Sequence, residues 1–251
     1  MTAWAAFHAE LDAWAAAGRT ATFWWRDDDA TAPTPALNAM LGRAERFRVP
    51  LCLAVIPAAA EPALAARLAE APEVSVLQHG YAHRNWAAPP AKKAELAENR
   101  GLDAMMDELA RGLTRLAGIF AGFRPVLVPP WNRIAAKLVP HLPELGFRGL
   151  STYGLARPAG LPPDLRQANA HADLIDWRGG RGFVGEDAAL TLLMRHLLAR
   201  RQDAVADLPT GLLTHHAVKE DAGWNFAEKL FQATATHPAA RWLDGAQVFA
   251  A

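Results

Sequence analysis

Short apolar runs alternate with longer amphipathic stretches over almost the whole chain. The short runs predict strands over residues 22–25, 51–56, 74–78, 126–128, 149–152, 174–177 and 211–214. Between them, apolar residues recurring every three or four positions predict helices over 34–47, 61–71, 92–117, 134–145 and 187–201. A last helix is expected over roughly 223–236. Leu102, Met105, Met106, Leu109, Leu113 and Leu116 form the clearest of these stripes. The first 18 residues place His8, Glu10 and Asp12 among Trp, Ala, Phe and Leu, as an amphipathic helix would.

Strands alternating with helices call for a parallel sheet covered by helices. A length of 251 residues suits a closed or nearly closed (β/α) barrel of about seven parallel strands better than an open sheet. No stretch of flexible composition divides the chain and no internal repeat is found, so one domain over 1–251 is expected. The Pro-rich stretch 157–163 reads as a rigid surface loop, and Lys219-Glu220-Asp221 as a lid loop or a solvated turn.

Composition narrows the function classes. About half of the residues are hydrophobic (51%), which allows an extensive core at this length. Formal net charge is zero, which argues against electrostatic binding to nucleic acid or an anionic membrane. The only cysteine, Cys52, removes any thiolate cluster or intrachain disulfide and sits in an apolar run as inert packing. No stretch is long and apolar enough to span a bilayer. With no basic-then-apolar leader at the start, a cytoplasmic protein is expected.

Polar motifs stand where apolar runs end, and in a barrel of this kind chemistry gathers at the C-terminal strand ends. Arg26-Asp27-Asp28-Asp29 carries more carboxylates than a helix cap requires, although capping and a strand-ending turn are its plain alternative. Alternation puts neighbouring side chains on opposite faces, so the strand must bend or bulge for two adjacent aspartates to serve one site. Which pair does so, Asp27/Asp28 or Asp28/Asp29, stays open, with Arg26 available to hold the third. His79 and His83 are four apart, a spacing that one helical turn would bring together for shared metal ligation.

The run from Arg124 to Asn132 contains Pro129-Pro130-Trp131. Two prolines fix the backbone and remove two donors. The Trp131 amide can then point into a cavity as an oxyanion donor, with its ring as a wall for a sugar-like face. An ordinary rigid loop is the competing reading. At His215-His216 at most one imidazole is expected to face a site, where it could protonate a leaving amine. In Asp173-Leu174-Ile175-Asp176-Trp177, Asp176 could orient an arginine or a histidine, or simply edge a strand. Carboxylates, paired histidines and a late histidine on separate strand ends are what a single-metal hydrolytic centre needs.

In order and placement these motifs resemble the polysaccharide deacetylase family (the NodB-homology type of carbohydrate esterase). Its motifs read Thr-Phe-Asp-Asp-Gly, His-(Ser/Thr)-x-x-His, Arg-Pro-Pro-Tyr-like and Leu-x-His. The matching stretches here are Trp25 to Ala30, His79 to His83, Arg124 to Asn132 and Leu213-Thr214-His215, together spanning roughly residues 20–220. The resemblance implies a distorted (β/α) barrel, one divalent metal, commonly zinc, and hydrolysis of an N-acetyl group on a carbohydrate. It implies Asp29, His79 and His83 as ligands, Asp28 as general base and His215 as general acid. It also implies an oxyanion donor at Trp131, Arg124 in the catalytic group, and Pro130, Trp131, Asn132 and Trp86 as substrate contacts. Departures are Gly80 in place of a hydroxyl residue, Trp131 in place of Tyr, and two stretches, 149–154 and 173–177, competing for the motif with the orienting aspartate. Competing readings are another metal-dependent barrel hydrolase (of esters, cyclic amides or phosphodiesters) and a non-catalytic carbohydrate-binding relative.

Overall fold

The computed structural model describes residues 2–155, 158, 160–205, 208–218 and 221–250. Helix α1 (Ala3–Ala16) opens the chain, its N-terminus capped by the Thr2 hydroxyl, which accepts from the Ala5 N–H. Then follow β1 (Ala21–Ala30), α2 (Pro35–Phe47), β2 (Leu51–Val55), α3 (Pro62–Leu68), β3 (Val74–His79), α4 (Leu102–Ile119) and β4 (Phe123–Val128). The second half contains α5 (Leu142–Leu145), β5 (Gly149–Leu150), β6 (Arg166–Gln167), β7 (Ala170–Asp173), α6 (Glu186–Arg201), β8 (Thr210–Thr214), α7 (Asp221–Ala235), β9 (Ala240–Trp242) and α8 (Gly245–Val248).

All strand pairings are parallel, in the order β6-β5-β4-β3-β2-β1-β8-β7, with β9 added on the first residues of β1. The two ends of that order are consecutive pieces of one extended segment. Its first part pairs with β5 and its second with β8, and Ala168 and Ala170 donate to the carbonyls of Leu150 and Thr152 between them. The sheet thus curls into a distorted (β/α) barrel with eight strands around it and β9 outside the path, against the expected seven.

Residues on β1 divide between two environments. Phe23 and Trp25 pack outward among α7 and α1 residues such as Phe231, Trp224 and Phe7. Trp24 packs inward with Cys52, Ala54, Leu77, Val126 and Val128, and Leu243 and Val248 join this inner cluster from the last segment of the chain. Gly245 fits there because a Cβ would lie 2.6 Å from Ser75 Cβ and 3.1 Å from Cys52 Sγ.

Several expected elements lie elsewhere. The strand expected at 174–177 is Ala170–Asp173, and the chain turns as the Asp173 carboxylate accepts from the Ile175 N–H. The helix expected from 92 begins only at Leu102, because the backbone at 94 and 96 is bonded to other segments. There Ala94 O accepts from Trp86 N–H and Leu96 O from Ala135 N–H. The helix expected over 134–145 is mostly a tight 3-10 turn over Ala136–His141 interrupted by Pro140, with one α turn after it. The loops expected at 157–163 and 219–221 lie partly outside the described residues. Among the described residues no helix is long and apolar enough to cross a membrane.

Candidate metal centre

Asp27, Asp28 and Asp29 end in three different places, and β1 geometry decides this. Asp28 shares the inner face with Trp24 and Arg26, whereas Asp27 shares the outer face with Trp25. Strict alternation would send Asp29 outward too. Instead the β1–β2 register slips between Asp27 and Ala30, and Asp29 takes a left-handed φ of 75°. That bulge turns its carboxylate toward the ends of β3.

There, Asp29 Oδ1 lies 3.1 Å from His79 Nε2 and 3.2 Å from His83 Nε2. One ligand atom from each of the three residues lies within 4.8 Å of the others. His79 Nδ1 is 3.0 Å from the Val128 carbonyl, a bond it can only donate, so Nε2 is the ring nitrogen that a metal would take, the same atom that bonds Asp29 in the charged ring. Burial works against ionising Asp29, but its bond to His79 and the charges of His79, His83 and His215 hold its carboxyl well below the usual range. Two imidazoles and one carboxylate are a donor set that a divalent metal ion would accept.

His83 reaches the centre without a helical turn. His79 is the last residue of β3, and Gly80 and His83 both adopt φ 53°. The turn wraps a buried carboxylate that sequence reasoning missed: Glu95 Oε2 accepts from the Tyr81 N–H (3.0 Å) and Oε1 from the Ala82 N–H (2.7 Å). Gly80 has no side chain because a Cβ there would stand 1.9 Å from Glu95 Oε2 and 2.6 Å from Pro130 Cδ.

Arg26, fully buried, grips Asp28 rather than Asp27. Its Nη2 donates to Asp28 Oδ2 (3.0 Å) and to Asn132 Oδ1 (2.7 Å), and Nη1 donates to Ser151 Oγ (2.7 Å). Asp27 is held from the outer face by Thr214 Oγ1, His216 N–H and the His216 ring. Burial disfavours the charged His216 ring, yet the Asp27 charge and bond outweigh it and raise its pKa.

His215 is the imidazole on the other side. Its Nδ1 lies 3.8 Å from Asp173 Oδ1, and its ring meets Trp177 edge-on at 4.8 Å. Trp177 Nε1 donates to the other Asp173 oxygen at 2.7 Å. The 173–177 stretch, not 149–154, therefore supplies the aspartate beside the histidine. Asp176 instead caps the following turn, accepting from the Arg178 and Gly179 N–H groups.

Pro130 is buried and packs against Gly80, while Trp131 and Asn132 take positive φ of 56°. A tryptophan there is held against its preference. The Trp131 ring lies 4.3 Å from that of His83. Beside Asn132 opens a cleft of about 720 Å³, lined also by Ala94, Leu96, Ile134, Thr152 and Tyr153. Two expected site residues are not brought in. Arg124 is exposed near the start of β4, four residues and roughly 13 Å of strand before Val128. Trp86 is outside the cleft lining, its exposed ring covered by the Arg84 and Arg100 guanidinium groups.

No family model and no curated protein matches this sequence. Solved structures do match in three dimensions. A family 4 carbohydrate esterase from Streptomyces lividans, bound to acetate, is 15% identical, with a TM-score of 0.58 over 88% of this chain and 91% of that one. The chain has the fold of the family 4 carbohydrate esterases. The Bc1960 peptidoglycan N-acetylglucosamine deacetylase aligns at 15% identity and TM-score 0.59, covering 92% of this chain and 88% of its own. A family 4 acetyl xylan esterase from Clostridium thermocellum, in complex with cobalt, aligns at 12% and 0.56, covering 91% and 90%.

Proposed function

We propose that this chain is a metal-dependent hydrolase that removes an N-acetyl group from a carbohydrate or sugar-containing substrate. One observation carries the reading: Asp29, His79 and His83 converge while a separate carboxylate, Asp28, and a separate imidazole, His215, remain outside the ligand set. The fold shared with carbohydrate deacetylases supports it.

Held by Asp29, His79 and His83, a divalent ion, zinc in this reading, supplies a Lewis acid for the acetyl carbonyl and lowers the pKa of water. Asp28 accepts the proton of the attacking water, its carboxylate oriented by the Arg26 fork. The Trp131 N–H donates to the oxyanion that develops on the carbonyl oxygen. His215 then gives a proton to the departing amine, oriented by Asp173 and walled by Trp177. Trp131 offers its ring to one sugar face, Pro130 and Asn132 flank it, and the cleft beside Asn132 takes the rest of the substrate.

The test is release of acetate from a panel of N-acetylated sugars and oligomers, using chelator-stripped protein with and without added zinc. Acetylated xylose esters run in parallel. Zinc-dependent acetate and free amine from the amides support the reading; turnover of the esters alone overturns it in favour of an esterase.

A further inference from the structure

Glu95 is a fully buried carboxylate beside the turn between His79 and His83, and the mechanism gives it no task. It comes from the long excursion between β3 and α4, yet its two oxygens end on two of the three amides between His79 and His83, those of Tyr81 and Ala82. Its neighbours are pinned on both sides, Ala94 by Trp86 and Leu96 by Ala135, so the carboxylate has little freedom to follow the turn. The pinning partner Ala135 follows the segment that carries Trp131, and Pro130 packs on the same Gly80 that Glu95 Oε2 approaches.

We propose that Glu95 is a positioning residue: it sets the spacing of His79 and His83 for the metal by filling the space beside Gly80 and binding the turn. The role rests on the metal reading above. An ionised carboxylate accepts from two backbone N–H groups at once, and such bonds are stronger than neutral ones. The wrapped turn then holds His83 in its left-handed conformation, facing Asp29.

The experiment compares Co²⁺ binding by wild type, Glu95→Gln and Glu98→Gln, by chelator competition and by the visible spectrum of the Co²⁺ form. Glutamine keeps the size but turns an NH₂ toward one of the two amides. Glu95→Gln is expected to bind Co²⁺ about 10- to 100-fold more weakly, with an altered spectrum, while still folded. Glu98, exposed on the same excursion and bonded to the Ala136 N–H, serves as control, and its variant should bind as wild type does. Wild-type affinity and spectrum in folded Glu95→Gln overturn the role. Failure of wild type itself to bind Co²⁺ overturns the metal reading and the role with it. Should the variant not fold, amide exchange in wild type decides: protected Tyr81 and Ala82 N–H groups support the role, and exchange at the rate of unstructured peptide overturns it.

Discussion

Arg26 and Asp28 stand two residues apart on β1 and meet as a two-point ion pair inside the barrel, Nε to Oδ1 at 2.9 Å and Nη2 to Oδ2 at 3.0 Å. The pleat makes this possible, because i and i+2 share a face. Removing one partner strands the other's charge in the interior. Arg26→Met should therefore lower stability by about 3–5 kcal/mol, and Arg26→Met/Asp28→Asn should recover much of that loss. Guanidinium unfolding of the two variants checks this; a double variant no more stable than Arg26→Met would contradict it.

Gly80→Ala should damage both fold and centre. The added Cβ meets Glu95 Oε2 and Pro130 at a residue with φ 53°. A loss of about 1–3 kcal/mol is expected, together with weaker zinc binding, because the turn carrying His83 must shift. Thermal unfolding with and without zinc reads both effects. A zinc-induced rise in Tm as large in Gly80→Ala as in wild type would contradict the account.

Gly245→Ala should cost about 1–3 kcal/mol as well, yet leave metal affinity intact. Its Cβ would strike Ser75, in the inner packing away from the centre. Adding Ser75→Gly should recover stability, as measured by urea midpoints.

His171 makes acid unfolding predictable. Burial, with His196, Arg200 and Arg26 nearby, pushes its pKa down to about 2, and its Nδ1 accepts from the Gly211 N–H. The unfolded chain takes up this proton near the ordinary value of about 6.5 while the folded one does not. Stability is thus fully present above that pH and declines as pH falls toward 2, by up to about 1.4 kcal/mol per unit. His216 has the opposite sign. Its raised pKa adds stability below about 6.5 that is lost as pH rises through the folded value. Chemical unfolding between pH 4 and 8 should show a shallower acid decline in His171→Asn, and loss of the alkaline-side decline in His216→Asn. Unchanged slopes in both would refute these assignments.

Much of the barrel was readable because its strands are short and carry buried apolar residues at their centres: 51–55, 74–79 and 210–214 fall within two residues of expectation. Ala170-His171-Ala172-Asp173 escaped notice since it has no β-branched or aromatic residue, and is held as a strand by its ladder to β8. The need for a bulge in the aspartate run was legible from alternation alone; its direction was not, because it depends on where His79 and His83 stand. Glu95 carried no local signal, since its partners lie 13 and 14 residues away. Arg124 matches the motif, but strand rise places it at the far end of β4, and Arg26 holds the carboxylate instead.

The most direct test is acetate release by Asp28→Ala at full zinc occupancy. The account predicts that this variant still binds one zinc per chain through Asp29, His79 and His83, while kcat falls by about 10²–10⁴-fold. Full activity in Asp28→Ala, or wild-type protein that turns over substrate with no divalent metal bound, would contradict it.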